Sequence, residues 1–105
     1  MVMGIWTQVA QLRDLLSSME RDLGLDSLSS NERDILLAFY ANAAERADVG
    51  YVCTTDKVRA HPTVSRISQP TFHRTLRRLL DKGLVIQSDD LPLGTYVLPS
   101  ESPRA

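Results

Sequence analysis

The stretch that decides the fold runs from residue 68 to residue 85 and reads SQPTFHRTLRRLLDKGLV. It contains a helix start, a helix with two different faces, a helix stop and the beginning of a strand. Ser68 or Gln69 can cap the start, and Pro70 suits the first turn, where its missing N–H costs nothing. Gly83 stands where a left-handed residue would end the helix. The pattern therefore predicts a helix whose two ends are both specified locally.

This helix divides into an apolar face and a cationic face. The apolar residues repeat at helical spacing and predict contact with a core: Phe72, Leu76, Leu79 and Leu80. The other side carries polar and basic residues: Gln69, Thr71, His73, Arg74, Arg77 and Arg78. Such a helix packs one side and leaves the other to solvent or to a partner.

The capped helix ending in LLDKGLV resembles the recognition helix of winged helix-turn-helix transcription regulators, most closely those of the multiple-antibiotic-resistance regulator (MarR) type. The residues that carry the resemblance are Ser68, Thr71, Arg74, Leu79, Lys82, Gly83, Leu84 and Val85. With weaker matches from Leu28 to Val97, it covers about two thirds of the chain. It implies a mainly α fold with a small β-hairpin wing, a winged helix-turn-helix, which in this chain follows the N-terminal amphipathic helix that the pattern of residues 5–23 predicts. It also implies double-stranded DNA as the partner.

Length and composition limit what else the chain can be. A chain of 105 residues with 43% hydrophobic residues supports one modest core. No apolar run approaches the roughly 18 residues of a membrane span, and Met1 to Gly4 lacks a secretory pattern, so we expect a soluble, cytoplasmic protein. The single cysteine, Cys53, excludes an internal disulfide and a multi-cysteine zinc site. We expect it to be a small buried side chain rather than a redox-sensing thiol.

Charge is distributed unevenly along the chain although the net charge is only −1. Residues 56–82 contain seven basic and two acidic residues, whereas residues 1–55 contain four and eight, and residues 83–105 contain one and three. The positive charge is thus concentrated around the 68–82 helix, which favours a polyanionic partner. A solvated basic surface is the alternative.

The N-terminal segment has a heptad pattern. Its seam residues are separated by alternating steps of four and three: Ile5, Val9, Leu12, Leu16, Met19 and Leu23. Trp6 and Leu15 broaden the seam, and Gly24 stops the helix. A strict seam predicts a helix that pairs with another copy, so these seam residues and Trp6 form the expected dimer interface. The alternative is that the helix packs on its own domain.

Between these two helices the sequence predicts further helical elements. Ser29 and Glu32 form a capping box that opens a helix through Ile35 to Ala43, and residues 44–50 should be a polar connection. The segment 51–53 is a very short strand candidate, which would pair with the wing in the family fold.

The next predicted helix, from Asp56 to about Ala60, is capped by Thr54 or Thr55 and ends before Pro62. The connection over 62–67 is longer than a tight helix-turn-helix allows, so either helix resumes after Pro62 or the turn is lengthened. Its inward residues should be Val64 and Ile67, after Val58 in the helix itself.

After the 68–82 helix we expect a strand over 84–86, a turn over 89–94 and a returning strand over 95–98. The turn carries Asp89 and Asp90, which phosphates would repel, so no DNA contact is assigned to the wing. The predicted organisation is an N-terminal dimerisation helix over 1–26, a winged helix-turn-helix domain over 27–99 and a disordered tail over 100–105.

No enzyme signature occurs in the sequence, and neither His61 nor His73 has a carboxylate or cysteine at metal-ligand spacing. We therefore expect no catalysis, no cofactor and no metal, and no pattern identifies a small-molecule effector. The expected DNA contacts are Ser68, Gln69, Pro70, Thr71, His73, Arg74, Arg77, Arg78 and Lys82. Early residues would approach base edges, while Arg77, Arg78 and Lys82 would hold the backbone. The competing hypothesis is a winged-helix module that binds a protein.

Overall fold

The computed structural model describes residues 2–99, with side chains from Gly4 onward. The tail predicted for 100–105 lies outside the described residues. The helices are α1 (Val2–Asp22), α2 (Ser30–Ala41), α3 (Thr55–Ala60), α4 (Pro62–Ser65) and α5 (Gln69–Asp81), with a 3-10 turn at Leu25–Ser27. The strands are β1 (Ala44–Arg46), β2 (Gly50–Thr54), β3 (Ile86–Gln87) and β4 (Thr95–Leu98). The expected combination of helices with a small antiparallel hairpin is confirmed, within a sheet of four strands.

Helix starts lie where the sequence predicts them, because side chains satisfy the free N–H groups of the first turn. Ser29 Oγ accepts from the Glu32 N–H at 3.1 Å, and Glu32 Oε1 accepts from the Ser29 N–H at 2.8 Å. The predicted capping box of α2 is therefore confirmed. Thr54 Oγ1 accepts from the Lys57 N–H at 3.4 Å and caps α3.

The connection between α3 and α5 contains a further helical turn. After Pro62 the chain resumes as α4, and His61 Nδ1 accepts from the Thr63 N–H at 3.2 Å to cap it. Of the two alternatives for this segment, resumption of helix is what occurs. Val64 and Ile67 are buried, as predicted, and they fix α4 and the following loop against the core.

Helix α2 is the centre of the core and packs against α3, α4 and α5. Tyr96 of β4 meets the ring of Phe39 edge-on, with 6.0 Å between centroids, in a geometry favoured by aromatic pairs. The largest fully buried side chains come from α2 to α5, the segment after α5 and β4: Ile35, Phe39, Val58, Val64, Phe72, Leu79, Val85 and Leu98. Cys53 is buried beside them, as expected, and its burial raises the pKa of the thiol. It is therefore poorly suited to redox sensing.

The sheet is antiparallel throughout, with strand order β1-β2-β4-β3. Tyr51 pairs with Leu98, and Thr54 with Thr95, so β2 and β4 form the central ladder. The segment 51–53 is thus part of a real strand. The prediction that residues 44–50 form only a polar connection is wrong, because Ala44 pairs with Val52 and begins the outer strand β1.

The strand expected over 84–86 is displaced toward the C-terminus and covers only residues 86 and 87. The reason is the way α5 ends. Gly83, at φ +75°, donates to the Leu80 carbonyl at 3.0 Å, and Leu84 donates to the Leu79 carbonyl at 3.0 Å. This pair of bonds is a Schellman motif. It uses the N–H of Leu84 to close the helix, so that N–H is not available to a strand ladder.

Helix α1 projects from the rest of the molecule, and with α1 included the longest extent of the molecule is 53 Å. Its main contacts are with the 3-10 turn that follows it, and its apolar side chains from Ile5 to Leu23 are exposed. The alternative that α1 buries its seam on its own domain is therefore wrong. None of the helices described between residues 2 and 99 combines the length and the apolar character needed to cross a lipid bilayer.

Candidate nucleic-acid interface

The outward face of α5 displays the polar and basic side chains that the sequence assigns to it. Gln69, His73, Arg74, Arg77 and Arg78 are exposed. Thr71 is half-buried, and Pro70 is exposed in the first turn. Ser68 caps the helix, since its Oγ accepts from the Thr71 N–H at 3.4 Å. All the predicted contacts from Ser68 to Arg78 therefore lie on one helix or at its cap.

The inward face of α5 is held firmly. Phe72 and Leu79 are fully buried, and Leu76 is buried beside them, as the helical spacing predicts. Thr75 is buried too, and its hydroxyl donates to the Thr71 carbonyl at 2.7 Å. The Arg59 guanidinium of α3 lies 4.8 Å from the centre of the Phe72 ring, a cation–π contact that joins α3 to α5. The exposed face is therefore presented by a rigid support.

Three arginines on the exposed face have no acidic partner among the residues that the structure describes. Within residues 2–99 the ion pairs join Arg46 to Asp48, Arg66 to Asp34 and Lys82 to Glu32. None of these pairs includes Arg74, Arg77 or Arg78. The pairing of Arg78 with Asp34 or Asp81, an alternative open from sequence, does not occur among these ion pairs. Asp34 pairs instead with Arg66, at 3.1 Å. Their charges are thus free to bind an anion.

The N-terminal half of this face is organised by contacts between its own side chains. Arg74 Nη2 donates to Thr71 Oγ1 at 3.3 Å, and Gln69 Nε2 lies 3.5 Å from His73 Nε2. His73 also meets the Phe72 ring edge-on, with 5.6 Å between centroids. Amide, imidazole, hydroxyl and guanidinium groups therefore stand together, a set able to donate and accept hydrogen bonds at base edges.

Lys82 has a different environment from the three arginines. Its ammonium donates to Glu32 at 3.2 Å (Oε1) and 3.3 Å (Oε2), and Glu32 is only 5% exposed. The Ser29 N–H and then the Lys82 ammonium lower the pKa of Glu32, outweighing the effect of burial. Lys82 thus neutralises a buried carboxylate between α2 and the end of α5. We leave it out of the interface, although the sequence predicted a DNA contact there.

No protein-family model, curated protein or solved structure matches this chain. The exposed faces of α5 and α1 are the features of this molecule that indicate a function.

The β3–β4 hairpin, next along the chain, presents a contrasting surface. Asp89 and Asp90 are exposed in its loop, and Leu93 is 96% exposed. The loop is held to the start of α3 through the Thr55 N–H, which donates to the Gly94 carbonyl at 2.9 Å. An acidic and apolar tip is poorly suited to a phosphate backbone.

Two contributors to this region were missed at the sequence level. Glu32 and Lys82 are 50 residues apart in sequence. The only sequence signal for Glu32 was its place in the capping box, which accounts for the bond of one carboxylate oxygen to the Ser29 N–H but does not predict that the side chain is buried. Arg59 was not singled out because a lone arginine on a short helix has no pattern that points to an aromatic ring. Among the described residues no group of three His, Cys, Asp or Glu side chains could hold a metal ion.

Proposed function

We propose that this protein is a sequence-specific DNA-binding transcription regulator of the MarR-like winged helix-turn-helix class, acting as a homodimer. In this proposal α3 to α5 form the helix-turn-helix, α5 is the recognition helix and the β3–β4 hairpin is the wing. The observation that carries the proposal is the exposed face of α5, where Arg74, Arg77 and Arg78 have no carboxylate partner within residues 2–99.

The order of side chains along α5 suits the major groove. A recognition helix contacts base edges mainly through its N-terminal residues, while later residues reach the phosphates. Gln69, His73 and Arg74 lie in the first part of the helix, and Arg77 and Arg78 lie in the second. Gln can bond adenine at two atoms and Arg can bond guanine at two atoms, so the first part would read sequence. The second part would add affinity that does not depend on sequence.

The homodimer part of the proposal concerns α1. Six seam residues and Trp6 are exposed, and Trp6 retains 68% of its accessible surface. A continuous apolar stripe of this size is uncommon on a monomer and marks an interaction surface. Sedimentation at tens of micromolar, roughly the range in which such a seam holds, should give a dimer. A monomer at this concentration would refute this part of the proposal.

A second candidate function is a winged-helix module that binds a protein. The acidic tip at Asp89 and Asp90, with Leu93 exposed beside it, favours this candidate because such a loop suits a protein surface better than DNA. A heparin column separates the two candidates, since a DNA-binding protein elutes at high salt and the protein-binding module at low salt.

Selection from a random duplex library tests the DNA proposal directly. The protein should enrich one sequence motif over successive rounds. A duplex that contains this motif should be retarded in gel electrophoresis, and so should the DNA upstream of the protein's own gene. Arg74→Ala should weaken enrichment of the motif and relax its base preference at one position. Arg46→Ala, at an exposed arginine of β1 paired with Asp48, is the matched control and should leave both unchanged. Failure of the parent protein to enrich any motif would refute sequence-specific binding.

A further inference from the structure

The apolar seam of α1 continues into a groove on the folded domain. The groove encloses about 280 Å³ between the end of α1, α2 and the segment after α5. Its walls include Leu23, Leu36, Leu37, Tyr40, Leu84 and Pro99. Leu23 is also the last residue of the seam, so the seam and the groove form one continuous apolar surface.

Heptad positions describe which side chains flank the seam, with a and d as the seam itself. Ile5, Leu12 and Met19 fall at d, and Val9, Leu16 and Leu23 fall at a. On one flank, position e holds Trp6, Arg13 and Glu20; on the other, position g holds Gln8, Leu15 and Asp22. The residues at e and g decide the orientation of two paired helices, because they meet across the seam.

In an antiparallel pair the residues at positions e and g of the two copies match in charge and in apolar character. Full overlap of two seams stacks Ile5 on the partner's Leu23, Val9 on the partner's Met19 and Leu12 on the partner's Leu16. Helical side chains lean toward the N-terminus of their own helix. The lean, about one residue in each helix, brings Leu15 to the partner's Leu15. It leaves Arg13 about 4.5 Å along the axis from the partner's Glu20, a gap that the two long side chains can span, twice by symmetry.

A parallel pair leaves the same residues poorly matched. In that orientation a g residue meets the e residue five positions later on the partner. Leu15 would face the partner's Glu20, and Gln8 would face the partner's Arg13. No pair of opposite charges forms, and an exposed leucine is set against a carboxylate. Charge and apolar matching therefore both favour the antiparallel orientation.

We propose that two copies of this chain pair through α1 in antiparallel orientation, and that Trp6 of each copy enters the groove beside Leu23 of the other. This inference rests on the homodimer proposed above and adds its orientation and its anchor. In the antiparallel register Trp6 is level with the partner's Asp22 and leans toward the partner's Leu23 and Leu25. Both of those residues line the groove. The groove offers the indole an apolar site, and burial of a tryptophan removes about 150–250 Å² from water.

Trp6 is the only tryptophan in the chain, so its fluorescence reports on this contact without labelling. The emission of the dimer should lie at short wavelength and shift to longer wavelength as dilution produces monomers. Leu37→Asp places a charge in the groove wall at a position that is 43% exposed and outside the seam. It should shift Trp6 emission to longer wavelength in protein that sedimentation still shows to be dimeric.

Ile86→Asp is the matched control, since Ile86 is 44% exposed and lies outside the groove. It should leave the emission unchanged. If Leu37→Asp also leaves the emission of the dimer unchanged, Trp6 does not occupy the groove and the anchor is refuted.

Disulfide cross-linking tests the orientation, in a Cys53→Ala background. Leu15→Cys should cross-link the two copies, because Leu15 faces itself in the antiparallel pair. Val9→Cys should not, because the two substituted positions would lie about 15 Å apart along the helices. Efficient cross-linking of Val9→Cys without that of Leu15→Cys would show a parallel dimer, which overturns this inference and leaves the homodimer standing. A monomer at every concentration would overturn both this inference and the homodimer. The DNA-binding part of the proposal is tested separately, by gel retardation.

Discussion

Replacing Lys82 by Met should destabilise the fold by about 1–2 kcal/mol while leaving DNA binding intact. Lys82 supplies two hydrogen bonds to Glu32, at 3.2 and 3.3 Å. Hydrogen bonds to charged groups contribute about 1.5–3 kcal/mol, and the lower part of that range applies because the Lys82 side chain is 45% exposed and screened by water. The Met side chain keeps most of the aliphatic stem, so the substitution removes mainly the charge.

A double-mutant cycle with Glu32→Gln isolates the pair. Gln can replace Glu in a capping box, so Glu32→Gln retains the bond to the Ser29 N–H and removes the ion pair. Urea unfolding of the four proteins at pH 7 should give a coupling free energy of about 1 kcal/mol. Arg78→Met is the control, as an exposed cation outside the ion pairs of residues 2–99, and should change stability by less than about 0.5 kcal/mol.

The coupling should depend on pH in a direction set by the lowered pKa of Glu32. A carboxyl with a depressed pKa in the folded state stabilises the fold above its ordinary pKa, here 4.5. That contribution decreases as the pH falls from 4.5 through the lowered pKa, where Glu32 takes up a proton. Zero coupling at pH 7, or a coupling that stays unchanged after Glu32 is protonated, would refute the structural role of Lys82.

Three further predictions concern α5 and the hairpin. Leu79→Ala and Leu76→Ala should each destabilise the fold by about 2–5 kcal/mol in urea unfolding, because both side chains are buried; losses below about 1 kcal/mol at both sites would mean that the helix is rotated. Gln69→Ala or Arg74→Ala should cost about 1–3 kcal/mol on the preferred duplex and little on random DNA; equal losses on both duplexes would exclude base contacts. Asp89→Lys with Asp90→Lys should tighten binding to random DNA if the hairpin lies near phosphates; unchanged affinity would place the hairpin away from the duplex.

Local signals made much of the fold predictable. The capping box at Ser29, the cap at Ser68 and the stop at Gly83 each depend on residues close in sequence, so their positions could be inferred directly. The same holds for the buried stripe of α5, since helical spacing alone separates Phe72 from the arginines.

The features that sequence reasoning missed depend on contacts between distant residues. Strand β1 consists of three exposed residues that show no alternation of buried and exposed side chains. It forms because its backbone pairs with that of β2. Strand β3 is displaced because the Leu84 N–H donates to the Leu79 carbonyl at the end of α5 and so cannot donate to a neighbouring strand. Likewise, Lys82 looked like one more basic residue of α5, and only its distance to Glu32 distinguishes it from Arg78.

The proposed binding of the DNA backbone by Arg77 and Arg78 of α5 is tested most directly by the salt dependence of affinity. Fluorescence anisotropy of a labelled duplex should be measured between about 50 and 200 mM salt for the parent, Arg77→Ala, Arg78→Ala and Lys82→Met. Each arginine variant should lower the slope of log affinity against log salt by about one unit, whereas Lys82→Met should retain the parent slope. A parent that binds every duplex no more tightly than about 10⁻⁴ M at physiological salt, with the same slope in all variants, would contradict this proposal and favour the protein-binding module.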